Sequence, residues 1–576
     1  MQLRPIPPKA LYALGAVAVL AVAACSSSSS STSTPSAAHS SSGSSAMGSQ
    51  PIVVESAEVS PLTDTFNPLN ATASTGWNLH ADGLIYEPLF LFNLMQPTQA
   101  PVPMLATSYQ WSTDGKTLTV TTRSGVKWSD GKPFSAADVA FTFNLIKQYA
   151  GTADINGTPA PSSATTTGPN TAVITFPTAE AGNFYAIASQ QIVPEHIWQS
   201  AGDPSKYADA NPVGTGPYTL SSFTPQKVIL KSNPHYWNES AVHVPEVIFP
   251  GFATGTSTTA VESGEVDWAG NDIPNVQSVF MGANPANHLW QNSVPYFAAN
   301  NVVTMWFNTT KAPLNDPKVR QAISYAINRQ QLATQGESGY EAPATSSGGL
   351  LPTDQSQIAP SYVNDLPASG DAGKAASILT SDGWSKSGGK WMKNGKPLAF
   401  TVMDPSNFTD YYTDCQLIAK QLSAQGFDVT ADGIAGGYVP WNTDVENGNF
   451  DVTLHWSAGP VNYGNFDQWM DDTTTAALGT AASGDWGRFK DPAAQTALGQ
   501  LAAATTATTQ QSAVSSLQQI MSTQVPEAPL LYGALWAEWS AKDYTGWPSP
   551  SNAYADPGPS NNQDVEFVIL HLTPAS

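Results

Sequence analysis

The chain has 576 residues, with 23 Lys or Arg against 45 Asp or Glu, and its formal net charge is −22. This length allows two or more domains, and an acidic chain without a basic block is a poor nucleic-acid binder because phosphate neutralisation needs clustered Lys and Arg. Charged residues are only 12% of the sequence, and the 17 Trp indicate that some indole rings line a binding surface.

The first 25 residues have the pattern of an export signal. Arg4 and Lys9 precede an apolar run at 10–24 that is too short to span a bilayer comfortably, and small residues precede Cys25. This pattern resembles a bacterial lipobox, which implies that Cys25 becomes the lipidated first residue of the mature protein. The alternative is an ordinary signal peptide with an incidental cysteine.

Two further expectations follow from this end of the chain. Residues 26–49 are nearly all Ser, Thr, Ala and Gly, and we expect them to form a disordered tether. Cys415 is the only other cysteine, so with Cys25 acylated we expect no disulfide and a buried thiol at Cys415.

The body of the chain mixes strand and helix patterns. Alternation predicts strands at 52–54, twice within 105–122, and at 171–176, 218–223, 227–231, 247–250, 398–403, 427–430 and 450–456. Helical periodicity predicts a helix capped by Ser135, one at 316–327 with Asp316 as N-cap and Pro317 at N1, and others at 372–380 and 410–425. We expect a polar loop at 151–170 and a weakly alternating C-terminal segment. The mixture favours an α/β (mixed α+β) fold over a sandwich or a bundle.

An ordered set of motifs carries a family resemblance. In the turn at 211–218, Gly214 and Gly216 can take positive φ and let another backbone come close. The other motifs are VKWSDGKPFSAADV at 126–139, NPHYW at 233–237, SGEVD at 263–267 and PLNDPKVRQAISYAINR at 313–329. Together they resemble the family 5 solute-binding proteins of ABC importers, the group named for oligopeptide and dipeptide binders.

This resemblance implies a two-lobed clamshell like that of periplasmic binding proteins, with an extra peripheral subdomain. Its expected parts are lobe I at 50–85, 212–297 and 530–576, the peripheral subdomain at 86–211, and lobe II at 298–529. Two crossings, near 295–305 and 526–535, would form the hinge, where few residues absorb the closing rotation.

The resemblance also implies that the ligand lies between the lobes, against a lobe II strand that ends in Trp. That strand is 450–456 here, and the predicted ligand-binding residues are Trp306, Trp441, His455, Trp456, Gly459, Asn462 and Tyr463. Peptide binders of this family commonly have Asp three residues after the Trp, where this chain has Gly459. A buried ammonium without a carboxylate is costly, so Gly459 weakens the case for a peptide unless an acid substitutes. The candidates are Asp444, Asp451 and Asp467.

The same region suits a neutral sugar, because aromatic rings stack on sugar faces and the amides of Asn442, Asn462 and Asn465 can bind hydroxyls. The ligand therefore stays open between an oligopeptide and an oligosaccharide. A nickel or metal complex is a third possibility because the family includes nickel binders, with His80 and His455 as the histidines that the fold would have to bring together. The scattered histidines predict no metal site, and we expect no cofactor.

The hypothesis is a solute-binding lipoprotein without catalytic activity, exported and anchored to the outer face of the cell membrane as a monomer. Its partners would be the permease and ATPase subunits of an ABC importer. The alternatives are an exported hydrolase acting on glycans or peptides, and a surface adhesion protein on a Ser-rich stalk. The sequence contains neither a Gly-x-Ser-x-Gly elbow nor a His-Glu-x-x-His motif, so nothing local indicates an enzyme.

Overall fold

The computed structural model describes residues 47–70, 74–151, 157–253, 255–457 and 463–576. Cys25, nearly all of the predicted tether, Gly459 and Asn462 lie outside these ranges. At the start of the described chain, the Gly48 N–H donates a hydrogen bond to the carbonyl of His243 at 2.7 Å. No helix within the described ranges is both long enough and apolar enough to cross a membrane.

A first large sheet has seven strands among the described residues. Its spatial order is Asn287–His288, Glu538–Ser540, Trp268–Ala269, Ile52–Glu55, Glu246–Pro250, Lys227–Ser232 and Tyr218–Thr224. Ile52–Glu55 runs parallel to both of its neighbours, and the other pairs are antiparallel. The sheet therefore contains segments from both ends of the chain, with Ile52–Glu55 near its centre and Glu538–Ser540 two strands away.

A second large sheet has six strands in the described part of the chain. Its spatial order is Ala342–Pro343, Glu527–Leu535, Ala298–Phe307, Val452–Trp456, Ala399–Pro405 and Asp428–Ile434. Ala298–Phe307 pairs antiparallel with both Glu527–Leu535 and Val452–Trp456. The two predicted crossings, 295–305 and 526–535, thus lie side by side as paired strands.

A smaller sheet contains four strands within the described residues, in the order Ala106–Trp111, Thr117–Thr122, Thr171–Thr175 and Ser163–Gly168. The helix Ala136–Gln148 covers it, and Ser135 forms the predicted cap with Asp138 in a full capping box. The loop predicted at 151–170 is wrong in its second half, because Ser163–Gly168 is an edge strand. Ala164 is its only fully buried residue, so the strand has almost no apolar alternation to detect.

Helices and small ribbons complete the described fold. The helices of eight or more residues are Ala136–Gln148, Pro317–Ala326, Ala372–Ser381, Thr409–Ala424, Tyr438–Asn447, Tyr463–Met470, Pro492–Ala502, Ala507–Gln524 and Asn562–His571. The shorter α-helices are Thr75–Asn78, Asp82–Ile85, Phe184–Ala188, Glu195–Trp198, Ser257–Ser263 and Arg329–Gln331. The ribbons are Phe90–Leu91 with Val102–Pro103, Ser385–Ser387 with Lys390–Lys393 and Lys396–Pro397, and Tyr544–Thr545 with Thr573–Pro574. The predicted α/β mixture is confirmed.

Two helix ends show what local sequence can and cannot specify. Asp316 caps the helix Pro317–Ala326 by accepting from the Lys318 N–H at 2.9 Å, as predicted. By contrast, the weakly alternating C-terminal segment contains the helix Asn562–His571. Residues 563–569 of that helix are all buried, so it lacks the polar face that makes a helix recognisable in sequence.

The turn at 211–218 packs directly against the helix Asp82–Ile85. The Gly216 N–H donates to the Ile85 carbonyl at 2.9 Å, and a Cβ added at Gly214 would lie 1.7 Å from that carbonyl oxygen. Neither glycine has φ in the left-handed region. Close approach of two backbones, rather than positive φ, is therefore what requires glycine here.

Candidate functional site

Trp456 is the last residue of the strand Val452–Trp456, and its side chain is 43% exposed. It lines a cavity of about 270 Å³. The cavity walls include Ser56 and Gly270, which follow strands of the seven-stranded sheet, and Asn301 from the six-stranded sheet. The exposed indole thus lies where the two large sheets face each other.

A second cavity of about 570 Å³ lies next to the first, and the two share Asp410 and Trp536. Asp272 and Gln277 line one side of it, and residues from the loop before Ala342–Pro343 and from the start of Thr409–Ala424 line the other. We call these two joined cavities the cleft. Their combined volume is larger than a single small ion requires.

Aromatic side chains pack in a cluster beneath Trp456. Ring centroids are 3.8 Å apart for His455 and Trp456, 5.0 Å for Trp441 and His455, and 5.2 Å for His455 and Trp486. The ring centroids of Trp306 and Trp486 are 5.0 Å apart, with the ring planes tilted by 40°. Trp306 and Trp441 are fully buried, so in this structure they support Trp456 from below. The ligand contact predicted for these two rings requires that they first become accessible.

His455 is buried within this cluster, and burial lowers its pKa to about 3. Its imidazole is therefore neutral at physiological pH and acts as a flat packing surface under the exposed indole. His80, the other histidine considered for a metal, places Nδ1 2.8 Å from the Pro559 carbonyl, and burial lowers its pKa to about 4. Within the part of the chain that the structure describes, no group of three or more His, Cys, Asp or Glu could hold a metal ion.

The remaining predicted contacts follow Trp456 along the chain. Gly459 and Asn462 are outside the described residues, and Tyr463 begins the helix Tyr463–Met470. Of the proposed substitute acids, Asp451 is held by Lys311 Nζ at 3.2 Å and by the Thr401 N–H at 3.1 Å. Asp444 accepts from Asn449 Nδ2 at 3.3 Å, and neither carboxylate lines the cleft.

The cleft has its own acidic side chains, which the sequence analysis missed. Asp272, Glu337 and Asp410 line the larger cavity, and Glu341 and Asp410 line the smaller one. Asp414 follows Asp410 by one helical turn and lies against Gly336, where an added Cβ would be 1.9 Å from Asp414 Oδ1. The i, i+4 spacing of Glu337 with Glu341, and of Asp410 with Asp414, is the sequence signal that could have identified them.

The carboxyls of this group interact electrostatically. Burial, followed by the charges of Glu341 and Asp414, raises the pKa of Glu337. Burial is also the main cause that raises the pKa values of Glu341 and Asp414. Without a nearby cation, the low dielectric favours protonated carboxyls that share hydrogen bonds over several adjacent negative charges.

Comparison with known proteins places the chain among solute binders. Residues 100–477 match the middle region of the bacterial extracellular solute-binding proteins, family 5. The nickel-binding periplasmic protein of Escherichia coli is 30% identical over 388 residues, which cover 64% of this chain and 69% of that protein. The glutathione-binding protein of Salmonella typhimurium is 29% identical over 266 residues, and the match spans 47% of its length.

Solved structures extend the similarity to nearly the whole chain. A periplasmic oligopeptide-binding protein of an ABC transporter from Thermotoga maritima superimposes with a TM-score of 0.80 and 25% identity, covering 91% of this chain and 99% of that one. The mannohexaose-bound structure of the oligopeptide-binding protein from the same organism has a TM-score of 0.71 at 25% identity, covering 91% and 98%. The predicted two-lobed periplasmic-binding-protein fold is confirmed.

Proposed function

Because the chain belongs to family 5 of the bacterial extracellular solute-binding proteins, we propose that it captures an oligopeptide or an oligosaccharide in the cleft and delivers it to an ABC importer. The observation that carries this proposal is the exposed indole of Trp456 at a cavity between the two large sheets. A large exposed aromatic side chain in a concave polar site is typical of a ligand anchor.

Polar groups beside Trp456 suit either ligand class. Asn300 and Asn301 line the same cavity, and the Asn301 Oδ1 is buried without a hydrogen-bond donor among the described residues. Amides can bind sugar hydroxyls or peptide groups equally well. The indole can likewise stack on a sugar face or pack against a peptide side chain. Because neither the amides nor the indole distinguishes a sugar from a peptide, the charge of the ligand is the property that can distinguish them.

Capture would involve closure of two lobes. We assign lobe I to 50–85, 212–297 and 530–576, with the peripheral subdomain at 86–211, and lobe II to 298–529. The paired strands Ala298–Phe307 and Glu527–Leu535 are continuous with the segments that would connect the lobes. Rotation at these few residues would bring Trp456 toward the opposite wall without disrupting either large sheet.

Delivery would take place at the outer face of the cell membrane. We propose that Cys25 is lipidated after export, that the Ser-rich segment 26–49 tethers the folded body as a monomer, and that the closed form docks on the permease. The importer's ATPase subunits would then drive transport. This chain would contribute recognition and no catalytic step.

The decisive experiment measures binding and closure on the same samples. The mature chain is screened by thermal shift and calorimetry against oligopeptides, β-linked oligosaccharides and the nickel–histidine complex, since a nickel-binding relative is 30% identical. A ligand at 100 times its Kd is expected to add about 2.7 kcal/mol to stability. Solution scattering should then show a smaller radius of gyration.

Two results would contradict the proposal. One is a tight ligand that leaves the scattering curve unchanged, because capture by closure must bring the lobes together. The other is chemical turnover of a bound glycan or peptide, which would favour the hydrolase alternative. Trp456→Ala supplies the matched control, because loss of binding by this variant locates the ligand in the cleft.

A further inference from the structure

We propose that Glu337 and Glu341 in the wall of the cleft, with the carboxyl of Asp414 buried behind them, form a subsite for a positively charged group of the ligand, an ammonium or a guanidinium. This inference rests on the proposed function, because it assigns a charge to the solute that the same cleft captures. It differs from the Gly459 position after Trp456, where the related peptide binders carry an acid, because these three residues belong to other segments.

Two segments bring the carboxyls together. Glu337 and Glu341 lie in the loop between the π-helical turn Leu332–Gly336 and the strand Ala342–Pro343. Asp414 lies near the start of the helix Thr409–Ala424, which packs on that turn. Contact between Asp414 and Gly336 fixes this arrangement, since there is no room for even a methyl group between them.

Few donors from the described residues reach the carboxyl oxygens of this group. Glu337 and Glu341 are only 5% and 6% exposed, and both line the cleft. Oε2 of Glu341 has no hydrogen-bond partner among the described residues. Oε1 of Glu337 and both oxygens of Asp414 have no N–H or hydroxyl donor there, so only a carboxyl proton shared between Glu337 and Asp414 joins them. The other oxygen of Glu341 accepts from the Ala534 N–H at 3.0 Å.

Among the residues that the structure describes, no basic side chain is paired with these acids. The ion pairs within the described ranges do not include Glu337, Glu341 or Asp414. Buried carboxylates are normally paired, and an unpaired buried charge is expensive. The acids therefore form a site whose counter-charge must come from protons or from a bound cation.

The surroundings favour an organic cation. Tyr296, Tyr340 and Trp536 line the larger cavity beside Glu337, and aromatic faces attract ammonium and guanidinium groups. The described acids do not form a set that could hold a metal ion. A guanidinium with several N–H donors matches several separated acceptors better than a compact ion does.

Binding of a cation should displace protons. The titratable groups around Glu337, Glu341 and Asp414 include no basic residue among the described part of the chain; they are Asp272, Tyr296, Tyr340, Asp404, Asp410, Tyr411 and Cys415. Burial raises the pKa values of Glu337, Glu341 and Asp414, so these groups retain protons in the free protein. An incoming cation favours their charged forms and releases protons to the buffer.

Two matched probe pairs test this inference in both ligand classes. One pair is a tetrapeptide containing arginine and the same peptide with citrulline. The other is β-1,4-linked glucosamine trisaccharide and its N-acetylated form. Calorimetry in two buffers of different ionisation enthalpy should show at least tenfold tighter binding of one charged probe than of its neutral partner, with proton release only for the charged probe.

Variants then locate the effect. Glu337→Gln combined with Glu341→Gln should abolish the preference for the charged probe and its proton release, while neutral probes keep their affinity. Glutamine keeps the shape of the glutamate side chain and removes a charge that burial disfavours, so we expect the variant to fold. Thermal unfolding checks this. Asp444→Asn is the control, because Asp444 lies outside the cleft lining and bonds to Asn449.

Each result decides a distinct point. Equal affinity for charged and neutral probes would overturn the cationic subsite and leave the solute-binding function standing. An unchanged preference in the double variant would overturn the assignment to these residues. Binding of no probe in either class would contradict the proposed function, and the subsite would fall with it.

Discussion

The imidazole of His455 lies 3.8 Å from the indole of Trp456, centroid to centroid, although the two residues are consecutive in a strand. His455 is 6% exposed and Trp456 is 43% exposed, so the pair joins the buried aromatic cluster to the cleft surface. The neutral imidazole supports the indole without bringing a charge to the site. A rigid, pre-positioned ring loses little conformational freedom when a ligand packs on it.

Replacing Trp456 by Ala should weaken binding of the cleft ligand by roughly 2–4 kcal/mol, the range for a central aromatic anchor. The free energy of unfolding should change by less than about 1 kcal/mol, because the side chain is substantially exposed. Calorimetry and urea denaturation measure the two effects. Tyr109→Ala, which removes a 41% exposed ring from the four-stranded sheet, is the control that should leave Kd unchanged.

The burial of the Asp404 carboxyl leads us to expect that the stability of the fold decreases as the pH rises. It is 1% exposed, neither carboxyl oxygen has a donor among the described residues, and burial, followed by the charges of Asp410 and Asp414, raises its pKa to about 9. The folded state therefore holds a proton that the unfolded state loses near pH 4. Stability from this group is complete at lower pH and is lost as the pH rises toward 9.

Asp404→Asn should remove this loss. The variant should exceed the wild type in free energy of unfolding at pH 8 and should resemble it at pH 4. The difference at pH 8 should be at most about 6 kcal/mol, because about four pH units separate the two pH values and each corresponds to about 1.4 kcal/mol. Urea denaturation across this pH interval measures the difference. Asp432→Asn on the neighbouring strand, where the side chain is exposed, is the matched control. A difference that is constant with pH would contradict the assignment.

Gly214→Ala should destabilise the fold by about 2–3 kcal/mol, because its Cβ would lie 1.7 Å from a backbone oxygen that cannot move independently of its helix. Gly499→Ala is the opposite case. That glycine lies in the helix Pro492–Ala502 with no atom within 4 Å of an added Cβ, so the substitution should stabilise by up to about 1 kcal/mol. Urea denaturation of both variants measures these effects. A Gly214→Ala variant as stable as the wild type would refute the steric argument.

Cys25→Ser should move the protein from the membrane fraction to the medium, because it removes the thiol that we expect to be acylated. Cell fractionation with an immunoblot measures the distribution. Cys415→Ser is the control, since Cys415 is fully buried in the helix Thr409–Ala424 and should not affect anchoring. Retention of processed Cys25→Ser in the membrane would show that another element provides the anchor.

Local signals were enough to predict several elements of the fold. Asp316 and Pro317 mark a helix start because the cap and the missing N–H act within one turn, and the same is true of Ser135 with Asp138. The edge strand Ser163–Gly168 and the helix Asn562–His571, which is buried over residues 563–569, were not predicted. Their burial depends on neighbours far along the chain, so neither carries a clear period of its own.

For the candidate site as well, the sequence predicted one part and the packing of distant residues decided the other. Trp456 could be chosen from the sequence because the family that the motifs resemble places its ligand against a lobe II strand that ends in Trp, and the strand Val452–Trp456 ends there. That Trp306 and Trp441 are buried while Trp456 is exposed was decided by packing around Trp486.

The sequence by itself determined the order of the motifs, the apolar strands and the helix caps, since these depend on residues within a few positions of one another. Only the tertiary structure decided that Glu337 and Glu341, in the cleft lining, lie beside the buried carboxyl of Asp414. These acids come from segments more than seventy residues apart, and each segment alone reads as solvated surface. Their burial side by side results from the packing of Thr409–Ala424 on Leu332–Gly336, an interaction that no local pattern encodes.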